Sequence, residues 1–259
     1  HSRNSNIKIH GKMKFSVDAI STKGPVREKN EDLLSIAGRP LRDNSLCVID
    51  EEAEDYWYAF AADGMGGHEM GEIASRELLS HLRDCFTMRD FSQENFEGDF
   101  TCAIEYISTK LNAHSAGLGL ERAMGTTLCG IVWIYDRMFL VNAGDSRVYR
   151  WRAGIIQQLT EDQKNDQGLL LNCVGAGLKG TPKICDITDK VAIDDVIIIC
   201  SDGLYGFVPD DEMEYYMVVS PRPAEDMCAR AMINGSNDNI SVAVIRIGGG
   251  DFGDNDRPD

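Results

Sequence analysis

The sequence predicts a single α+β domain in which helices pack over antiparallel sheets. Strand-like segments follow one another through residues 126–159 with only short turns between them, which indicates antiparallel pairing. Two amphipathic helical patterns separate the first strands from this block, so the order is not the repeating β-α-β-α of a doubly wound sheet. No internal repeat or long linker divides the 259 residues, and one domain is the simplest interpretation.

The spacing of apolar residues places the individual elements. Strand patterns cover residues 13–21, 46–49, 56–62, 126–135, 138–143, 147–151, 155–159, 191–200 and 240–247, and helical patterns cover 71–86, 94–114 and about 223–234. An acidic loop is expected at 50–55. We expect residues 1–12 to be an N-terminal tail or an expression remnant, 13–248 the single catalytic domain, and 249–259 a disordered acidic tail.

The composition limits the partners and the compartment. Lys and Arg number 26 against 42 Asp and Glu, a net charge of −16, which disfavours nucleic acid and anionic membranes as partners. No apolar run is long enough to span a bilayer, and the N-terminus lacks the apolar core of a signal peptide. The eight cysteines include no CxxC pair, so buried, reduced thiols and a cytoplasmic location are expected.

Acidic residues lie beside predicted strands at four places. They are Asp63 followed by Gly64, Asp202 followed by Gly203, Asp238 just before the last strand, and the pair Glu31-Asp32 after the first strand and its turn. A strand that ends in Asp-Gly holds its carboxylate rigidly, and the glycine carbonyl can be a further oxygen ligand. Such oxygen ligands suit Mg²⁺ and Mn²⁺, and a cation would relieve the repulsion between crowded carboxylates. The pattern favours a metal-dependent phosphohydrolase.

Each of these residues alone has a simpler explanation. Asp-Gly is a common turn dipeptide, and Asp145 in Ala-Gly-Asp-Ser-Arg suits a hairpin turn. Arg27 alone would be a surface charge, and His68 alone a surface or helix-start residue. Only their joint occurrence carries the functional interpretation.

Seven sequence strings in register resemble one known family. They are RxxNED (27–32), ADGMGGHxxGxxAS (62–75), GTT (125–127), NAGDSRVYR (142–150), LTEDQ (159–163), SDGL (201–204) and DNISV (238–242). Together they resemble the metal-dependent protein Ser/Thr phosphatases of the PPM, or type-2C, family in its bacterial form, over about residues 14–247. The resemblance implies two antiparallel β-sheets packed as a sandwich, with helices on both outer faces.

The resemblance also implies a role for each residue of the site. Asp63 would bridge two Mg²⁺ or Mn²⁺ ions, and Asp202 and Asp238 would complete the first metal site. The backbone carbonyl of Gly64 and, mostly through water, Glu31 would serve the second, and Asp145 would contribute to a third, weaker site. Arg27 would bind the substrate phosphate through its bidentate guanidinium. A water bridging the two ions would attack the phosphorus of phosphoserine or phosphothreonine without a phosphoenzyme.

Two departures from the family pattern affect the chemistry. Met65 stands where eukaryotic members carry a histidine proposed as the general acid, and His68 is not assigned that role. Bacterial members usually have a longer segment, called the flap, after the LTEDQ string. Here only residues 164–171 stand in its place, so we hypothesise a more open site.

Two other functions stay open at this point. The chain could hydrolyse small phosphoesters, or it could be a catalytically weak regulatory relative, although it retains Glu31, Asp63, Asp202 and Asp238. Phosphoproteins are the expected partners, with a cognate Ser/Thr kinase implied by the resemblance, and a monomer is expected.

Overall fold

The computed structural model describes residues 13–66, 70–250 and 252. The strands are, in chain order, β1 (Met13–Thr22), β2 (Leu33–Ile36), β3 (Arg39–Leu41), β4 (Asn44–Ala53), β5 (Tyr56–Ala62), β6 (Gly64–Met65), β7 (Gly125–Thr126), β8 (Leu128–Ile134), β9 (Arg137–Ala143), β10 (Arg147–Arg152), β11 (Ile155–Gln158), β12 (Val174–Gly175), β13 (Lys183–Asp186), β14 (Val196–Cys200) and β15 (Ile240–Ile247). The α-helices are α1 (Met70–Met88), α2 (Phe96–Gly117), α3 (Asp202–Tyr205), α4 (Asp210–Val219) and α5 (Pro223–Ile233).

Two six-stranded sheets contain most of the strands in the described residues. The first sheet has the order β11-β10-β14-β15-β1-β4, and the second has the order β13-β9-β8-β5-β2-β3. A small third sheet has the order β12-β7-β6. Neighbouring strands in all three sheets pair antiparallel, as the short connections predict.

Side-chain alternation along the strands divides the interior into layers. In β5, Trp57 and Ala59 join the apolar cluster that also contains Phe15 of the first sheet, and the rings of Phe15 and Trp57 stack at 4.1 Å. The intervening Tyr58 and Phe60 point to the opposite face. Because successive side chains of a strand point to opposite faces, a strand covered on both sides is an unbroken apolar run. The sheets therefore pack face to face.

Helices cover the outer face of each sheet. Leu78 of α1 and Phe100 of α2 pack with Phe60 on the second sheet. Met213 of α4 and Met227 of α5 pack with Ile198 on the first sheet. The layers are therefore helix, sheet, sheet and helix, which confirms the predicted α+β sandwich.

Strand β4 differs from the sequence prediction. The acidic segment 50–55 was expected to be a loop, yet β4 continues to Ala53, with Lys14 opposite Glu52. A register shift between Phe15 and Val17 and a left-handed φ of 54° at Asp50 mark a bulge there. Because β4 is an edge strand with one solvated face, it accepts charges that a central strand would exclude.

Two residues after the last strand contact the domain. Gly250 donates a hydrogen bond to Asp50, and Phe252 is buried near Arg246. The boundary expected at residue 248 stays a prediction, and residues 1–12, 251 and 253–259 lie outside the described residues.

All eight cysteines are unpaired, and five of them are buried. In the described residues, no helix is both long and apolar enough to cross a membrane.

The pairing of β5 with β8 leaves no room for a side chain at Gly130. A Cβ there would lie 2.1 Å from the carbonyl oxygen of Ala59. Gly130→Ala should therefore lower the free energy of unfolding by about 2 kcal/mol or more. Gly117→Ala is the matched control, because a Cβ at this helical glycine meets nothing within 4 Å. It should be neutral or stabilise by up to about 1 kcal/mol, and equal effects of the two changes in urea unfolding would contradict this packing.

Candidate metal centre

Pairing of β2 with β5 places the first acidic residues together. Leu33 lies opposite Ala62, so Glu31 and Asp32, which precede β2, lie beside Asp63, which follows β5. This follows from antiparallel geometry, in which the start of one strand meets the end of its neighbour.

The first sheet places the other acidic residues in the same way. Cys200, the last residue of β14, lies opposite Val242 of β15, so Asp202 and Asp238 lie at the same end of the sheet. Cys200 also lies opposite Arg147 of β10, which brings the β9–β10 turn and its Asp145 to this end. All the predicted acidic site residues thus lie at one rim of the sandwich.

Hydrogen bonds join the two halves of the rim. The Ser201 hydroxyl donates to Asp32 Oδ2 at 2.7 Å, from the first sheet to the second. Asn239 accepts a bond from the backbone N–H of Glu31 at 2.8 Å and donates to the carbonyl of Lys29 at 2.8 Å. The acidic residues of one sheet are therefore held in register with those of the other.

The GTT string fixes the backbone of Asp63. The N–H of Asp63 donates to the Thr127 hydroxyl at 3.0 Å, and the N–H of Thr127 donates to the Asp63 carbonyl at 2.9 Å. The Thr126 hydroxyl donates to the same carbonyl at 3.0 Å. These three bonds fix the backbone from which the Asp63 carboxylate projects.

Gly64 and Glu31 present oxygen atoms to one place. A Cβ on Gly71, near the start of α1, would lie 2.7 Å from Glu31 Oε1 and 2.7 Å from the carbonyl oxygen of Gly64. The two oxygens predicted to serve the second metal site are therefore neighbours. A Cβ on Gly64 would itself lie 2.1 Å from the Gly71 carbonyl, so both positions require glycine.

Crowding perturbs the acidic residues. Burial raises the pKa of Asp63 well above the usual carboxyl range, and repulsion from Asp32, Asp202, Asp238 and Asp145 adds to it. Burial likewise raises the pKa of Asp202 to about 6, with further repulsion from Asp145 and Asp238. Such shifts mean that several negative charges share a region that water solvates poorly. A bound divalent cation is the partner that this donor set fits.

Two of the acidic residues accept hydrogen bonds from basic side chains. Arg27 Nη2 lies 2.7 Å from Asp238 Oδ2, and Lys164 Nζ lies 3.0 Å from Asp145 Oδ2. In the present side-chain positions of the described residues, no three acidic, histidine or cysteine side chains form one ligand cluster. Arg27 is half exposed at the rim, so its guanidinium is accessible to a substrate.

Asp32 also lies at the rim, although its sequence position did not indicate a role. It is buried, and burial raises its pKa to about 7, with repulsion from Asp202 and Asp238 opposing the bonds from Ser201 and Ser241. The RxxNED string contains both Glu31 and Asp32, but only the fold shows which of the two acids is buried.

Met65 lies half-buried in β6, and His68 lies outside the described residues.

Comparison with known proteins decides the family. Residues 35–231 match the family model described as Protein phosphatase 2C. The chain belongs to the protein phosphatase 2C family. This confirms the predicted family and, with the relatives below, the predicted enzyme class, a protein-serine/threonine phosphatase.

Curated relatives of this type-2C phosphatase come from several bacteria. The serine/threonine phosphatase stp of Listeria monocytogenes serotype 4b is 27% identical over 247 residues, covering 86% of this chain and 92% of the relative. The serine/threonine protein phosphatase PstP of Mycobacterium tuberculosis is 28% identical over 261 residues, covering 91% of this chain and 45% of the relative.

Solved structures agree with the fold. The serine/threonine phosphatase of S. agalactiae superposes with a TM-score of 0.76 at 20% identity, covering 90% of this chain and 99% of that one. The catalytic domain of PstP, in complex with two manganese ions, superposes with a TM-score of 0.71 at 25% identity, covering 91% and 99%.

Asp63→Asn should change the free energy of unfolding in opposite directions without and with metal, because the acidic residues repel one another. In chelator at neutral pH the change removes a carboxylate whose ionisation is opposed by burial and by the neighbouring acids, and it should raise the free energy of unfolding by about 1 kcal/mol. With Mn²⁺ at about 100 times its Kd, the unchanged protein should gain about 2.7 kcal/mol, and the variant much less. Thermal unfolding in both buffers measures this, with Asp84→Asn, an exposed aspartate on α1, as the control. Equal Mn²⁺ gains in all three proteins would contradict the site.

Proposed function

We propose that this phosphatase hydrolyses phosphoserine and phosphothreonine with two divalent ions, Mg²⁺ or Mn²⁺, held at the acidic rim. The convergence of Asp63, Asp202 and Asp238 from two sheets onto one end of the sandwich carries the proposal. Glu31 and the Gly64 carbonyl, which share the surroundings of Gly71, would serve the second ion. When bound, such ions supply a water of lowered pKa and neutralise phosphoryl oxygens.

The side chains of the site have separate tasks in this proposal. Asp63 would bridge the two ions, a role supported by its backbone contacts with Thr126 and Thr127 and by the repulsion that acids of both sheets exert on its carboxylate. Arg27 would exchange its present partner, Asp238, for two phosphate oxygens, which its planar guanidinium matches. Met65 has no proton to donate, so the leaving alkoxide would take its proton from water or from another residue.

Other assignments are also proposals. A cognate Ser/Thr kinase, a monomeric state, no membrane attachment and a cytoplasmic location fit the sequence, and the net charge of −16 argues against nucleic acid. A catalytically weak relative is disfavoured, because Glu31, Asp63, Asp202 and Asp238 are all retained.

Asp63 gives the sharpest test of the activity. With a phosphothreonine peptide and Mn²⁺, we expect hydrolysis that chelator abolishes and that Asp63→Asn lowers by about a thousandfold or more. Asp84→Asn removes an exposed carboxylate and should keep full activity. An Asp63→Asn protein that is folded and fully active would exclude the proposed mechanism.

Substrate choice depends on the short loop, residues 164–171. This loop folds back on itself, with the Asn165 N–H bonded to the Leu169 carbonyl at 2.9 Å, and Leu169 and Leu171 are exposed. An open site should hydrolyse a small aryl phosphate at a rate comparable to that of a phosphopeptide. Parallel kcat/KM measurements test this, and strong selectivity for the peptide would count against the open site. Selectivity for nucleotides or other small phosphoesters would instead favour the alternative function.

A further inference from the structure

The Lys164 ammonium is surrounded by oxygen atoms at the β9–β10 turn. Its Nζ lies 3.0 Å from Asp145 Oδ2, 3.1 Å from the Tyr205 hydroxyl and 3.6 Å from Asp162 Oδ2. The first two oxygens accept hydrogen bonds from the ammonium, and the third is at ion-pair distance. Asp145 is buried and Lys164 is half-buried, so the pair is partly shielded from water.

The backbone holds Lys164 beside Asp145. The N–H of Gln163 donates to the Gly144 carbonyl at 3.0 Å, and the N–H of Gly144 donates to Gln163 Oε1 at 2.9 Å. On the other side of the short loop, the N–H of Leu171 donates to the Gln163 carbonyl at 2.7 Å. The residue before Lys164 is thus fixed to the residue before Asp145, so the lysine side chain starts close to this carboxylate.

The other partners of Lys164 are held by Arg147. This guanidinium donates to Asp162 at 2.9 and 2.8 Å, and it lies 3.7 Å above the Tyr205 ring. Because Arg147 already neutralises Asp162 through this bidentate pair, the charge of Lys164 is available to Asp145.

We infer that Lys164 supplies the cation at Asp145, so that this phosphatase holds no third metal ion there and works with two. The inference rests on the proposed function and gives Asp145 a role different from the one expected from the sequence. That carboxylate would be a partner of Lys164 and not a metal ligand. Lys164 is then a positioning residue, which neutralises the acidic rim on the side of Asp145.

Counting bound Mn²⁺ tests this inference. Calorimetric titration of the chelator-treated protein should give two Mn²⁺ ions per chain, and Asp145→Asn should leave that number unchanged. Lys164→Met removes the ammonium and keeps the apolar stem, so it should expose Asp145 and add a third, weaker ion. The double variant Lys164→Met with Asp145→Asn should return to two. Lys183→Met is the matched control, because Lys183 pairs with Glu161 at the exposed surface, and it should stay at two.

The outcomes separate the inference from the proposed function. A third ion in the unchanged protein that Asp145→Asn removes would overturn the role of Lys164 while leaving the two-ion site intact. Failure of the unchanged protein to bind the first two ions would overturn the proposed function itself. If Lys164→Met does not fold, as circular dichroism would reveal, the comparison of the unchanged protein with Asp145→Asn still decides between two ions and three.

Discussion

Repulsion between carboxylates at one rim of the sandwich is the constraint on which the site depends. Asp32, Asp63 and Asp202 all have raised pKa values, with burial as the largest cause and neighbouring acids adding to it. Isolated loops would relax by moving apart, but these residues adjoin strands buried on both faces. The packing between the sheets therefore maintains a repulsion that protonation or a bound cation would relieve.

The site also depends on the register between the two sheets. Glu31, Asp32 and Asp63 belong to the second sheet, whereas Asp202 and Asp238 belong to the first. Three kinds of contact join them: the apolar cluster between the sheets, the Ser201 bond to Asp32, and the Asn239 bonds to the Glu31 segment. A shift of one sheet past the other would separate the halves of the site. This explains why the polar residues of the SDGL and DNISV strings accompany the acids.

Much of this arrangement could be predicted from the sequence, for physical reasons that differ between elements. The run YWYAFAA is apolar throughout because both its faces are covered, and Asp63 follows it directly. The extension of β4 through Asp50–Ala53 was not predictable, since charges on an edge strand resemble those of a loop. Helix α4 was missed because only Met213 and Met217 of its residues are buried. The pairing of Lys164 with Asp145 requires the fold, because the two residues are nineteen positions apart.

In the proposed mechanism, Asp63 would lie between two metal ions. Anomalous diffraction at the manganese edge, from crystals of this chain grown with Mn²⁺, would locate these ions. We expect two anomalous peaks about 3.5–4 Å apart, one on each side of the Asp63 carboxylate. One ion would lie toward Asp202 and Asp238, and the other toward the Gly64 carbonyl. A map without a peak at Asp63, or with a single ion that contacts neither Asp202 nor Asp238, would contradict it.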